Sequence, residues 1–142
     1  MLSELRVAEL LAALGERTPA PASGAAAALT GAMAAALTEL AARFAGDEEA
    51  VVQAQTAVAR LVELADEDVA AYTAFMAERT DATRARIVAV PEEIAARADE
   101  VARLAEVVLG QLRSSVAGDA EAAVKLARAA ARVARRLGEL NA

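Results

Sequence analysis

The sequence contains no cysteine, no histidine and no tryptophan. The first two absences remove disulfides, thiol nucleophiles, imidazole bases and the usual zinc sites together. Carboxylates could still hold a magnesium ion, but nothing in their spacing asks for one, and no metal is expected. With one tyrosine and two phenylalanines, and no sustained alternation of apolar and polar residues, a sheet has nothing to build on. Ile87, Val88 and Val90 form the one β-leaning run, and it is too short to found one. Cations are also scarce. The formal charge is −6, and the densest basic group is Arg128, Arg132, Arg135 and Arg136. Four arginines at helical spacing read as the wet face of a last helix, so nucleic acid is not the expected partner. The most apolar stretch, Ala25 to Leu37, falls short of the roughly 20 residues a membrane span needs. No charged start followed by an apolar stretch marks a leader. A cytoplasmic protein with no membrane partner is expected.

What the chain does have is alanine. The hydrophobic share of 57% exceeds the globular norm, and the excess is alanine rather than larger side chains. Alanine is the best helix former, yet each one buries little area, so helices must approach closely or the chain must associate with another. The 142 residues suit one all-α domain, a bundle of five or six helices around an Ala-rich central one, and a homodimer is expected.

The periodicity places the elements. Leu2, Leu5, Leu10, Leu11 and Leu14 give a first helix ending at Gly15. Thr18-Pro19-Ala20-Pro21-Ala22-Ser23-Gly24 is an extended loop, with Ser23 placed to cap a second helix running to about Phe44. That helix is small and apolar on most sides around Gly31, which suits a central position against a neighbouring backbone. Gly46-Asp47 separates it from a long third helix ending near Arg79. Asp81 could cap a short helix before Pro91, where a new helix or a kink is expected. After a loop over Ser114 to Gly118, Asp119 reads as the cap of a fifth helix, with Gly138 near its end.

Four segments in order carry a family resemblance. Thr18, Pro19, Pro21 and Gly24, followed by small residues, resemble the Thr/Ser-Pro-x-Pro-Gly-Gly-Gly-Ser loop of the cyclodeaminase/cyclohydrolase family. Leu64 to Tyr72 resembles that family's acidic helix, with Asp68 at the key acid. Val90-Pro91 is similar to the Val-Pro opening its fourth long helix, and Gly118-Asp119-Ala120 falls where the family has Ser-Asp-Ala-Gly. This chain departs from the pattern in several places. Ala22 and Ser23 replace two glycines, Ala25 replaces the serine, and the stretch between Met76 and Pro91 is short and lacks a Leu-Pro-Lys segment. Arg113-Ser114-Ser115 stands in place of Asn-Pro-Asn, and the C-terminus is short.

The resemblance implies an all-α fold and a tetrahydrofolate derivative as substrate, with no resident cofactor. The reaction would be hydrolysis of 5,10-methenyltetrahydrofolate or loss of ammonia from the formimino derivative. Both need proton transfer, and without histidine a carboxylate must perform it, with a pKa raised by burial. Asp68 shares a face with Leu61, Leu64, Tyr72 and Phe75, an unusual place for an acid, whereas Asp66 and Glu67 point elsewhere, toward solvent. An acid there could also pair with an arginine or cap a neighbouring helix. Pro21, Ser23 and Gly24 could approach a ligand through their backbone, Tyr72 could stack on a pterin, Asp119 could orient it, and Lys125 could attract its glutamate tail. Each has a plain structural alternative: cap, core or solvated side chain. A non-catalytic relative that binds a small ligand, or a helical dimerisation module, remains the competing class.

Overall fold

In a computed structural model describing residues 1–142, the chain is five α-helices and two short 3-10 turns, with no strand. Four long helices form the bundle: α2 (Ser23–Ala45), α3 (Glu48–Ala77), α4 (Asp81–Leu109) and α5 (Gly118–Asn141). They follow one another around the bundle, and α2 touches all three others. A short α1 (Val7–Gly15) precedes them.

The core is built from small residues, as the composition predicts. Gly24, Ala25, Ala27, Ala28, Gly31 and their successors give α2 a buried side along its whole length. Leu61 and Leu64 of α3 and Ile94 and Val101 of α4 fill the space between helices as its largest fully buried aliphatic side chains. Between α4 and α5 the contact is nearly all alanine, with Ala98 against Ala130 and Ala131 and Ala105 against Ala123, so two backbones run close together. By length and composition α2 could cross a membrane. In this fold α3, α4 and α5 occupy most of the sides a lipid would have to touch.

The structure moves several boundaries. The first helix is broken: a turn over Leu2–Glu4 gives way to extended backbone at Leu5 and Arg6 before α1 begins. Only Leu2 reaches the main core, because its N–H donates to Asp66 Oδ1 at 2.9 Å and ties the segment to α3. No residue of α1 is buried, so its leucines do not pack as the stripe suggested. Asp66 and Glu67 are not simply solvated, since Asp66 holds that turn and Glu67 pairs with Arg60 at 2.7 Å. Gly46, at φ 71°, makes the left-handed turn between α2 and α3, and Asp47 caps α3 by accepting from the Ala50 N–H at 3.0 Å. Asp81 does not cap; Thr80 and Thr83 bond reciprocally and start α4 instead.

Pro91 lies inside α4, which runs through it unbroken. Proline has no N–H for the carbonyl four residues back, which should orphan Ile87 O. That oxygen accepts from Asn141 Nδ2 at 2.8 Å, so the end of α5 supplies the missing donor. Gly138 does not end α5, which continues to Asn141. A Cβ at Gly138 would meet Glu92 Cγ at 3.3 Å, so glycine here permits close helix contact rather than a stop. The basic group on α5 is largely engaged: Arg128 pairs with Glu106, Arg135 with Asp99 and Arg136 with Glu139.

Gly31 faces a side chain rather than the backbone its setting suggested: a Cβ there would lie 3.3 Å from Leu61 Cδ1 and 3.8 Å from Ala98 Cβ. Leu61 is fully buried and cannot retreat. Gly31→Leu is therefore expected to overpack the core by about 1–3 kcal/mol or more. Thermal melting checks this, and an unchanged midpoint would mean the α2–α3 contact is looser than it stands.

Candidate active site

One end of the bundle gathers the prolines, the loop and the acid. The loop after α1 reaches the start of α2 beside the middle of α3 and the last turn of α5. Pro19, Ala20, Ala22, Ser23 and Gly24 form one wall of a cleft, with Asp68, Tyr72, Pro91, Leu137 and Asn141 opposite. Its volume is about 220 Å³.

Asp68 is the only acid in that cleft, and no cation pairs with it. Its carboxylate lies on the first turn of α2. A Cβ built on Gly24 would fall 2.5 Å from Asp68 Cγ and closer still to both oxygens, so glycine is the one residue that admits the acid. Helix α2 begins without a side-chain cap of its own: Ala22 is its N-cap, and Ser23 is the first helical residue. Asp68, from another helix, lies over that start, with its carboxylate beside Gly24 and the Ala25 N–H. Burial raises its pKa above the ordinary aspartate range, and the Ala25 N–H partly offsets this by favouring the charged form. Such a carboxylate can exchange a proton nearer neutrality, and the amides at a helix start favour an anionic or carbonyl oxygen beside them.

Tyr72, one turn beyond Asp68, is half-buried; it packs on the core and presents part of itself to the cleft. Phe75 sits 6.4 Å from it, centroid to centroid, and the guanidinium groups of Arg79 and Arg84 each lie within 5.5 Å of its ring centroid.

Of the residues singled out from the sequence, the fold brings together Asp68, Ser23, Gly24 and Tyr72. Pro21 lies between two wall residues without joining the wall. Asp119 and Lys125 stand outside it, about 33 and 24 Å back along α5 from Asn141 at 1.5 Å per residue. Nor does Asp119 cap α5: Ala117 is the N-cap and no side chain bonds there. Asn141 and Leu137 are the cleft residues that sequence reasoning missed. The only signal was the orphaned carbonyl that Pro91 implies, which a side-chain donor must satisfy. No group of three or more acids is placed to hold a metal ion.

A larger groove of about 550 Å³ runs between α3 and α4. Its charged residues are already paired, Arg60 with Glu67 and Glu93 at 2.7 and 2.8 Å, and Arg97 with Glu100 at 3.0 Å. The unpaired acid lies in the smaller cleft, and chemistry is better sought there.

An all-helical bundle that seats a carboxylate from one helix on the glycine start of another defines a compact type of site, with an acid held beside a polarising helix end. The formiminotransferase-cyclodeaminase family pattern matches residues 6–142, and the chain belongs to that family. Among solved structures, formiminotetrahydrofolate cyclodeaminase from Thermotoga maritima superposes with a TM-score of 0.91 at 23% identity, covering 99% of this chain and 80% of that one. At that identity the likeness establishes a shared fold. No curated protein gives a significant match.

Proposed function

We propose that the protein is a cytoplasmic one-carbon enzyme acting on a tetrahydrofolate derivative, with the folate as substrate and no resident cofactor. The observation that carries this reading is Asp68: an acid without a cation partner, raised in pKa by burial, facing a cleft beside a helix start. Membership of the formiminotransferase-cyclodeaminase family supports a folate derivative as the substrate class.

In the hydrolytic reaction water adds to the methenyl carbon of 5,10-methenyltetrahydrofolate, and Asp68 takes the proton that water releases. The tetrahedral carbon then opens to the 10-formyl product: its bond to nitrogen 5 breaks as the protonated Asp68 returns its proton to that nitrogen, and the hydroxyl proton passes to solvent as the carbonyl forms. In the deaminating reaction nitrogen 10 attacks the carbon of the protonated formimino group, the same carboxyl relays the proton from the attacking to the leaving nitrogen, and ammonia leaves as the 5,10-methenyl cation forms. Tyr72 offers a flat apolar surface at one side, and the start of α2 directs its amides at the reacting carbon's oxygen or nitrogen substituents. The cleft is below the roughly 300–1,000 Å³ usual for small-molecule sites, so it suits one ring system, with the rest of the ligand lying outside.

Decay of the methenyl absorbance, corrected for spontaneous hydrolysis, tests the hydrolytic arm, and ammonia release from the formimino substrate tests the other. One of the two should exceed background. If neither does while a folate raises the melting temperature, the protein binds without catalysing.

A further inference from the structure

Asn141 is engaged through only half of its side chain. Its Nδ2 donates to Ile87 O at 2.8 Å, and its Oδ1 bonds to nothing in the chain. The residue is half-buried on the wall of the cleft. Its Oδ1 is not enclosed, because the one enclosed side-chain polar atom without a partner is Arg97 Nε, at the α3–α4 groove. A carboxamide is planar, so holding its nitrogen also sets the direction of its oxygen.

Pro91 creates this arrangement. Any other residue at that position would offer its own N–H to Ile87 O. Proline leaves that place to Asn141, in the last turn of α5. Satisfying a buried carbonyl accounts for the amide nitrogen. It does not account for an oxygen held in a fixed direction on the cleft wall.

The other polar side chains of the cleft stand together. Gly24 lies against Asp68, which places Ser23 near the acid, and Tyr72 is one turn from it on α3. Asn141 alone comes from α5, with Leu137 one turn before it and Pro91 of α4 as its neighbour. A ring system whose reacting carbon lies at Asp68 therefore turns another edge toward α5. Under the folate reading, on which this inference rests, that edge belongs to the aminopyrimidinone half of the reduced pteridine. It carries two donors, the N3–H and the 2-amino group. A neutral amide oxygen accepts from either without setting a second anion in the cleft beside Asp68.

We propose that Asn141 is a specificity-determining residue of this cleft: its Oδ1 accepts from the N–H edge of the ligand's aminopyrimidinone ring, in the orientation that the bond to Ile87 O gives it. The carbonyl orphaned by Pro91 thereby aims a recognition group.

Calorimetric titration with 5-formyltetrahydrofolate and its 2-desamino and 3-methyl analogues tests this. Wild type should bind at least one analogue about tenfold or more weakly than the parent, because the amide oxygen is left unpaired. Asn141→Leu is then made in a Pro91→Ala background, where residue 91 supplies the N–H that Ile87 O needs. Loss of the Asn141 donor leaves no orphan there, so the double variant should melt like Pro91→Ala alone. Its preference for the parent over that analogue should fall toward one, while Pro91→Ala keeps it. A structural role would leave the preference unmoved. If Asn141→Leu loses helicity, Asn141→Ala in the same background decides. A wild type that binds all three ligands equally, or a folded double variant that keeps the preference, overturns the inference and leaves the folate reading standing. A wild type that binds none of them overturns both.

Discussion

Asp68→Asn is expected to lower turnover by about 10²–10⁴, the usual worth of a general acid or base, while ligand affinity changes far less. The amide fills the same space and keeps a polar oxygen beside the start of α2. Stability supplies an independent readout. Burial raises the folded pKa of Asp68 above its unfolded value, so the protonated form is the one the fold favours. That contribution is fully present below the ordinary aspartate pKa and is lost as pH rises through the raised one. Wild type should therefore lose stability across that window, and the Asn variant should lack that component of the slope. At neutral pH the variant should be as stable as wild type or more so, because no cation is left unpaired. A variant that loses stability and activity in parallel would make Asp68 a structural cap alone. Turnover and urea midpoints measured over the acid range distinguish the two.

Gly24→Ala should be nearly as damaging, through position rather than chemistry. The new Cβ would fall 2.5 Å from Asp68 Cγ, and one of the two must move. Overpacking against the carboxylate costs about 1–3 kcal/mol unless Asp68 swings into the cleft and leaves its place. A shift of about 1 Å in a catalytic group can cost about 10² in rate. Both effects should depend on the acid being present. In an Asp68→Ala background the obstruction is gone, so Gly24→Ala should cost little further stability, and a double-mutant cycle should return a coupling of about 1 kcal/mol or more. Additive effects would show that Gly24 is required for backbone conformation or for another neighbour.

The elements that local chemistry controls were legible. Gly46 and Asp47 separate α2 from α3 as their residue types demand, one by a left-handed turn and the other by a cap. Asp68 stood out because an acid interrupted an apolar stripe. Ser23, Asp81 and Asp119 each have the right chemistry for a cap, yet none caps its helix. In each case a competing partner or a shift of one or two residues decided the boundary, and a single sequence position does not encode that competition. The leucines of α1 show the same limit: their spacing establishes amphipathicity but not whether a partner surface exists within the chain.

The sequence by itself determined the helical class, the order of the long helices and the scarcity of proton-transfer groups, and it marked Asp68 as an acid on an apolar stripe. These follow from composition, propensity and periodicity, which act over a few residues at a time. Tertiary structure alone decided the rest. It set Asp68 against Gly24 at the start of α2, let α4 run through Pro91 by drawing a donor from Asn141, and left Asp119 and Lys125 far from the cleft. Each of these joins residues distant in the chain. Close alanine packing fixes how near the helices come and in what register, and that register chooses which polar groups meet.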